Sequence, residues 1–320
     1  MTKIKVTAVF DIGKTNKKFF LFDKNYKEIL REYKRLPETK DEDGYPAEDL
    51  MALQNWMKSI FEAVLEKDEY NVKAVNFSSY GASFVHLDHD GDVLTPLYNY
   101  TKSIEESVSE EFYKKYGDEL SIATQTASPQ SGFLNSGMQL YWLKKTRPEI
   151  FSKIKYSLHL PQYLSYLFTG IPVSEFTSIG CHTNLWDYNK KDYHNWVYEE
   201  NIDRILAPLV PTSASMNTSY KGKKLKIGVG IHDSSSALLP YILSKKKPFL
   251  LLSTGTWSIA LNPFSKDAIT KEDIKHNCLN YLRVDGKPVK ASRFFMGNEY
   301  RLQVEKLGEY YQKEYGYHRN

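Results

Sequence analysis

Cysteine is almost missing from this chain: Cys181 and Cys278 are the two in 320 residues. Two thiols cannot build a disulfide framework, so a reducing compartment suits the protein. Long apolar runs are missing too. Pro248-Phe249-Leu250-Leu251-Leu252 is typical of the longest, far short of the ~20 residues that span a bilayer. Lys3 and Lys5 precede Val6–Phe10, but Asp11 cuts that run before it becomes the core of a signal peptide. These absences lead us to expect a cytoplasmic protein with no membrane association. Nor does one charge dominate. Lys and Arg number 43 against 39 Asp and Glu, a net +4, and a dedicated nucleic-acid binder would show a concentrated basic stripe. Neither Gly-x-x-x-x-Gly-Lys-Ser/Thr nor Gly-x-Gly-x-x-Gly occurs, which removes the P-loop and Rossmann readings.

What is present is an ordinary globular composition, 41% hydrophobic and 26% charged, with 24 Tyr, 16 Phe and 5 Trp to pack a core. The length favours two domains. Lys3–Phe10 and Lys18–Phe22 read as strands joined by a turn at Gly13, with Tyr26–Tyr33 as a third. Leu50, Leu53, Trp56, Ile60 and Leu65 recur at helical spacing within Ala47–Leu65. Val72–Phe77 reads as a buried strand. Phe84–Leu87 and Val93–Leu97 flank His89-Asp90-Gly91-Asp92 as a hairpin. Helices are expected at Ile104–Tyr116, Gly137–Lys145 and Pro161–Phe168, and the polar stretch Thr212–Lys226 reads as a linker. A second unit then opens with a strand at Lys226–Val229, a helix from about Asp233 to Leu243, and a strand pair around Gly255.

Four segments and one residue pair carry candidate chemistry. In Asp11-Ile12-Gly13-Lys14-Thr15-Asn16 the glycine permits a tight turn, whose N–H groups and Thr15 hydroxyl suit phosphate oxygens. Asp11 would hold a hydrated Mg2+, while Lys14, Lys17 and Lys18 add positive potential. The plain alternative is a hairpin with a capping Asp. Ser253-Thr254-Gly255-Thr256-Trp257-Ser258 is a second hydroxyl-and-glycine turn between strands, or else a hairpin turn that binds nothing. In Gly230-Ile231-His232-Asp233-Ser234, Asp233 falls at a helix N-terminus, where the macrodipole favours negative charge. It would serve as a general base or only as an N-cap; His232 would orient a sugar oxygen or simply pack. Ser79-Tyr80-Gly81-Ala82-Ser83 ends a strand, where ligands of open α/β sheets gather, and Gly81 would admit a polyol close to the backbone. Asn135 and Gln139, four apart at a helix start, offer amides that both donate and accept, as sugar hydroxyls require.

Taken together and in order, these segments resemble the FGGY carbohydrate kinases, within the actin-like, hexokinase-like ATPase superfamily. The matches are Asp11–Asn16, Ser79–Val85, the Gly-x-His-Asp-x-x-x-Ala of Gly230–Ala237, and Leu252–Ser258. The Thr-Gly-Thr-Trp form with His232-Asp233 is most like the rhamnulokinase and fuculokinase branch, and Leu160–Leu164 through Gly170, then Ser174–Thr177, also resemble those enzymes. The resemblance implies an α/β, actin-like (ribonuclease H-like) fold of two domains around a cleft. The sugar-binding domain would span residues 1–222, and a partial nucleotide-binding domain residues 223–320. It implies phosphoryl transfer from ATP, with Mg2+, to a ketose such as L-rhamnulose, L-fuculose or xylulose. Asp233 would be the base and Asp11 the metal ligand. Gly13, Lys14, Thr15, Asn16, Ser253, Thr254, Gly255 and Thr256 would cradle phosphates, and Gly81, Ala82, Asn99, Gln139 and His232 would contact sugar. Asn99 stands where the family usually carries an Asp. The family's glycine-rich adenosine segment is expected beyond Asn320, so the chain reads as a fragment or a shortened homologue. A non-catalytic sugar-binding relative and a different actin-like ATPase remain as alternatives. Sugar and ATP are the expected partners, a homodimer is compatible with the pattern, and neither nucleic acid nor membrane is expected.

Overall fold

The computed structural model describes residues 3–245, 247–254 and 258–317. Alternation in the first segment becomes β1 (Ile4–Ile12), with Val6, Ala8, Phe10 and Ile12 buried on one face. β2 (Lys17–Asp23) returns antiparallel with Phe19 and Leu21 buried, and β3 (Glu28–Lys34) closes that edge with exposed charges, a guard against pairing with other chains. A small hairpin, β4 (Glu38–Lys40) and β5 (Pro46–Glu48), leads into α1 (Leu50–Glu66). Asp49 caps this helix by accepting the Ala52 N–H at 2.9 Å, and its buried stripe is Leu50, Leu53, Met57, Phe61, Val64 and Leu65. β6 (Tyr70–Ser79) lies parallel beside β1. Phe10, Phe61 and Phe77 pack ring to ring against the core face, where truncating any one costs about 3–5 kcal/mol.

β7 (Phe84–Leu87) pairs antiparallel with β8 (Tyr156–His159), sixty-odd residues on, rather than with Val93–Leu97. The turn at Asp88–Asp92 does form, with Asp88 accepting the Asp90 and Asp92 N–H groups, but only single bridges, Leu87 to Val93 and Glu48 to Leu97, follow it. Pro96 lacks the N–H that a ladder there needs. Helices dominate the next stretch, as expected: α2 (Glu106–Tyr116), α3 (Glu119–Thr126), α4 (Ser136–Thr146), α5 (Pro148–Phe151) and α6 (Leu160–Thr169). Gly170 ends α6 in the left-handed conformation. Short elements follow, β9 (Ser174–Glu175), α7 (Phe176–Ile179), β10 (Trp186–Asp187), β11 (Asp192–Tyr193), α8 (Asn195–Glu199) and β12 (Leu209–Val210). Trp142, Trp196, Phe112 and Tyr141 form their own core.

The polar stretch read as a linker is instead a hairpin, β13 (Ser215–Tyr220) and β14 (Lys223–Gly228). Lys221 and Gly222 both take positive φ, 48° and 73°, the geometry of a tight two-residue turn. The division expected at residue 222 therefore falls in a turn joining two strands of the first sheet. β14 and then β15 (Ile231–His232) run parallel along β6, giving the order β13-β14-β6-β1-β2-β3 with β15 beside the end of β6. α9 (Asp233–Ser244) leads to a second sheet, β16 (Leu251–Ser253), β17 (Ser258–Asn262), β18 (Cys278–Leu282) and β19 (Pro288–Phe294), ordered β16-β17-β19-β18. α10 (Lys271–Lys275) precedes β18 and α11 (Met296–Tyr311) follows β19. The second sheet docks through Tyr188, whose hydroxyl reaches Asn280 O at 2.9 Å, and through Leu282 against Gly180. No helix among the described residues is long and apolar enough to cross a membrane.

Candidate active site

Register assembles the site. In the parallel strands β1, β6 and β15, Asp11 stands level with Ser78 and Ile231, and Ile12 with Ser79 and His232. Just past that level the chain leaves the sheet three times, into the turn at Gly13, the loop at Gly81 and the helix at Asp233. Segments more than two hundred residues apart thus meet at the carboxyl ends of adjacent parallel strands. At the usual strand spacing the backbones carrying Asp11 and Asp233 lie about 10 Å apart, with β6 between them.

The first turn is held from beneath. Gly13 N–H donates to Asn16 O at 3.0 Å, and a Cβ on Gly13 would stand 3.1 Å from that same oxygen. Lys17, in phase with buried Phe19 and Leu21, is 2% exposed. Its ammonium donates to Gly13 O at 3.1 Å and Lys14 O at 2.9 Å, and pairs with Glu48, which also accepts the Tyr80 hydroxyl at 3.0 Å. Lys17 is therefore an internal brace, not a source of positive potential facing a ligand. Lys14 pairs with Glu38 at 3.3 Å and Lys18 with Asp11 Oδ2 at 3.0 Å. Thr15 is exposed, and Asn16 Oδ1 accepts from Arg35 at 3.1 Å.

Asp233 opens α9, with His232 in the N-cap position. Its Oδ1 accepts the Ser234 N–H at 2.6 Å and lies 3.3 Å from His232 Nε2; among the described residues Oδ2 has no donor, and the side chain is 40% exposed. His232 is 5% exposed, with Cys181 Sγ 3.5 Å from Nε2 and the Tyr281 ring edge-on at 5.8 Å. Gly81 presses on its other face: a Cβ there would lie 2.7 Å from His232 Cδ2. Behind it, Thr177 Oγ1 accepts the His232 N–H at 3.0 Å. Thr177 itself is fastened to buried Glu175, which accepts the Thr177 N–H and hydroxyl, the Ser178 N–H and the Thr212 hydroxyl, each within 2.7 Å. Burial pushes the Tyr100 hydroxyl above its ordinary pKa, and the nearby carboxylates of Asp233 and Glu48 push the same way. Tyr100 stands ring to ring with Tyr80 at 5.7 Å, so the two tyrosines wall the space between the first turn and Asp233.

The remaining predicted contacts divide. Gln139, 1% exposed, donates through Nε2 to Ala82 O and Phe133 O, both at 2.6 Å, so it braces the Gly81 loop from behind. Asn99 Oδ1 is taken by the N–H and hydroxyl of Thr101. Asn135 is spent on Pro129, Ser131 and His182. Ser253 and Thr254 are exposed at the end of β16, whereas Gly255 and Thr256 lie outside the described residues. Beside Asp11, on the same sheet face, a cavity of about 430 Å³ opens between Val9, Asn76, Ser78, Ile231 and Ser236, within the usual size of a ligand pocket. Glu48, Tyr100, Glu175 and Thr177 went unassigned as members of the site, and Lys17 was placed there with the wrong role, as a charge facing phosphate rather than a buried brace. A lysine in phase with Phe19 and Leu21 was the one visible hint.

A mixed sheet, whose parallel central strands end at the Gly13 turn and the Gly81 loop and feed a helix headed by a carboxylate, fits an actin-like α/β fold. Solved structures agree: a carbohydrate kinase from Novosphingobium aromaticivorans superposes with a TM-score of 0.84 at 27% identity, covering 95% of this chain and 66% of that one. Residues 6–237 match the FGGY family of carbohydrate kinases, N-terminal domain, and residues 246–315 match the carbohydrate kinase FGGY C-terminal domain. The chain belongs to the FGGY family of carbohydrate kinases. It is similar to the rhamnulokinase of Mannheimia succiniciproducens, 24% identical over 273 residues, and that of Halalkalibacterium halodurans, 27% identical over 266. Those alignments take in 81% and 78% of this chain and 54% of each relative. The chain thus spans about half the length of the curated relatives it matches.

Proposed function

We propose that this chain binds a ketose against Gly81, His232 and Asp233 and the phosphates of ATP at the Asp11–Asn16 turn, and supports phosphoryl transfer between them. The observation that carries the reading is the register of β1, β6 and β15, which sets the Gly13 turn and Asp233 on either side of one strand. The sugar hydroxyl oxygen would attack the γ-phosphorus, the bond to the β-phosphate oxygen would break, ADP would leave, and the hydroxyl proton would pass to Asp233. Oδ2 suits that step, because Oδ1 is already occupied by Ser234 and His232. The names of the rhamnulokinase relatives favour a ketose such as L-rhamnulose, with L-fuculose and xylulose as the competitors.

Mg2+ suits the residues present. Among the described residues no three His, Cys, Asp or Glu converge on one point, and Mg2+ usually takes one or two carboxylates alongside phosphates and water. Asp11, with Oδ1 unpartnered among the described residues and Oδ2 on Lys18, would hold it. Bound there, the ion would offset charge on the phosphates. We keep two units in this reading but move the joint from residue 222 to the stretch after Ala237, because β14 and β15 belong to the first sheet. Ser253, Thr254, Gly255 and Thr256 remain in it as the second phosphate turn.

The test is ADP release from MgATP with L-rhamnulose, L-fuculose or D-xylulose. Asp233→Asn should lower ketose-dependent turnover by about 10²–10⁴-fold, the usual weight of a general base, with an unchanged circular dichroism spectrum. Turnover retained in that variant overturns the assignment. Titration heat from ketose with none from MgATP would favour a sugar-binding relative instead.

A further inference from the structure

A peptide unit is planar and trans, so its C=O and the following N–H point in opposite directions. The Gly13 carbonyl and the Lys14 N–H share one such plane, as do the Lys14 carbonyl and the Thr15 N–H. Both carbonyls turn inward onto the Lys17 ammonium, at 3.1 and 2.9 Å. Both N–H groups must then turn outward, and among the described residues neither has an acceptor in the protein. An ammonium has three donors. Here the third goes to Glu48, whose second oxygen takes the Tyr80 hydroxyl, so nothing in this buried set is left over to face a ligand.

We infer that Lys17 is the positioning residue of the phosphate turn: by holding the Gly13 and Lys14 carbonyls inward it aims the Lys14 and Thr15 N–H groups at an incoming phosphate. It does this without touching that phosphate. The inference rests on the phosphate-binding reading of the turn. It separates Lys17 from Lys14 and Lys18, which sit on the outer side of the turn and pair with Glu38 and Asp11. Burial makes the arrangement stiff. A lysine 2% exposed, with every donor taken, has no competing solvated position nearby. The Tyr80 hydroxyl on Glu48 ties the same brace to the loop that begins at Gly81.

Inorganic tripolyphosphate with Mg2+ is the probe, followed by amide NMR and by titration calorimetry on the full chain. In the wild type it should shift the Lys14 and Thr15 amide resonances. Shifts confined to other residues would overturn the inference, whereas no binding of either tripolyphosphate or MgATP would overturn the phosphate reading itself. Lys17→Met alone strands the Glu48 carboxylate in the interior, so Lys17→Met/Glu48→Gln, which removes both charges, is the working variant. It should weaken tripolyphosphate about tenfold or more, the worth of one well-aimed hydrogen bond to a charged oxygen, while ketose affinity stays within about twofold, because the new amide oxygen still accepts the Tyr80 hydroxyl that fastens the Gly81 loop. A purely structural role would weaken both ligands together. Unchanged tripolyphosphate affinity in the folded variant, or equal losses for tripolyphosphate and ketose, would refute the positioning role.

Discussion

Gly81→Ala perturbs the site without removing any charged group. The added Cβ would stand 2.7 Å from His232 Cδ2, and ordinary contact begins at 3.4 Å. The imidazole must therefore retreat by about 0.7 Å, close to the ~1 Å misplacement that costs a catalytic group on the order of 100-fold. There is little room for it to go. Cys181 Sγ lies 3.5 Å from Nε2, the Tyr281 ring closes a side at 5.8 Å, and the backbone N–H is tied to Thr177. Because Nε2 lies 3.3 Å from Asp233 Oδ1, the shift passes to the proposed base. We expect kcat/KM for the ketose to fall by about 10–100-fold, and overpacking to remove about 1–3 kcal/mol of stability. ADP release and urea unfolding measure the two. Wild-type kcat/KM combined with wild-type stability would show that the Gly81–His232 contact constrains nothing.

Other perturbations test the scaffold. Glu175→Gln would turn an amide NH2 toward hydroxyl and N–H donors now facing a carboxylate, costing about 1–3 kcal/mol for each donor stranded; a loss under about 0.5 kcal/mol in urea would refute that role. Burial pushes His86 and His159 down to about 3, and the positive charge available to His232 adds to the effect on His159. The unfolded chain takes up these protons near 6.5 and the folded chain does not, so the stability is complete above pH 6.5 and is lost as the pH falls toward 3. At pH 5 the loss should be roughly 2 kcal/mol for each histidine, and equal urea midpoints at pH 7 and pH 5 would contradict it. Together with Asp233→Asn and the Lys17 variants above, these cover the proposed base, the proposed phosphate turn and the support behind them.

Much of the architecture was legible locally. Alternation at Val6, Ala8, Phe10 and Ile12, helical spacing at Leu50, Leu53 and Leu65, and Gly170 after α6 each announce their element, because burial on one face and the left-handed cap are properties of neighbouring residues. Two segments misled for physical reasons. Val93–Leu97 keeps a single bridge to β7, at Leu87, because Pro96 interrupts its ladder, while β8 pairs along the other edge of β7. The stretch from 212 to 226 is polar because β13 forms the sheet's edge and β14 meets β6 only at Lys226 and Ile227, and exposure there mimics a linker.

What the order of residues marked alone was a set of candidate segments: an Asp-x-Gly turn, a Gly81 loop, a carboxylate at a helix start and the hydroxyl-and-glycine turn of Leu252–Ser258. Their resemblance to the FGGY kinases followed from that set. Which of those side chains meet was decided by strand register, since Asp11, Ser78 and Ile231 become neighbours only when three parallel strands align. Tertiary burial also reassigned roles: it drew Lys17 inside against Glu48 and turned Gln139 to brace Ala82. A buried polar group must find its partners inside the protein, and in both cases the partner comes from a distant segment that no local pattern reveals.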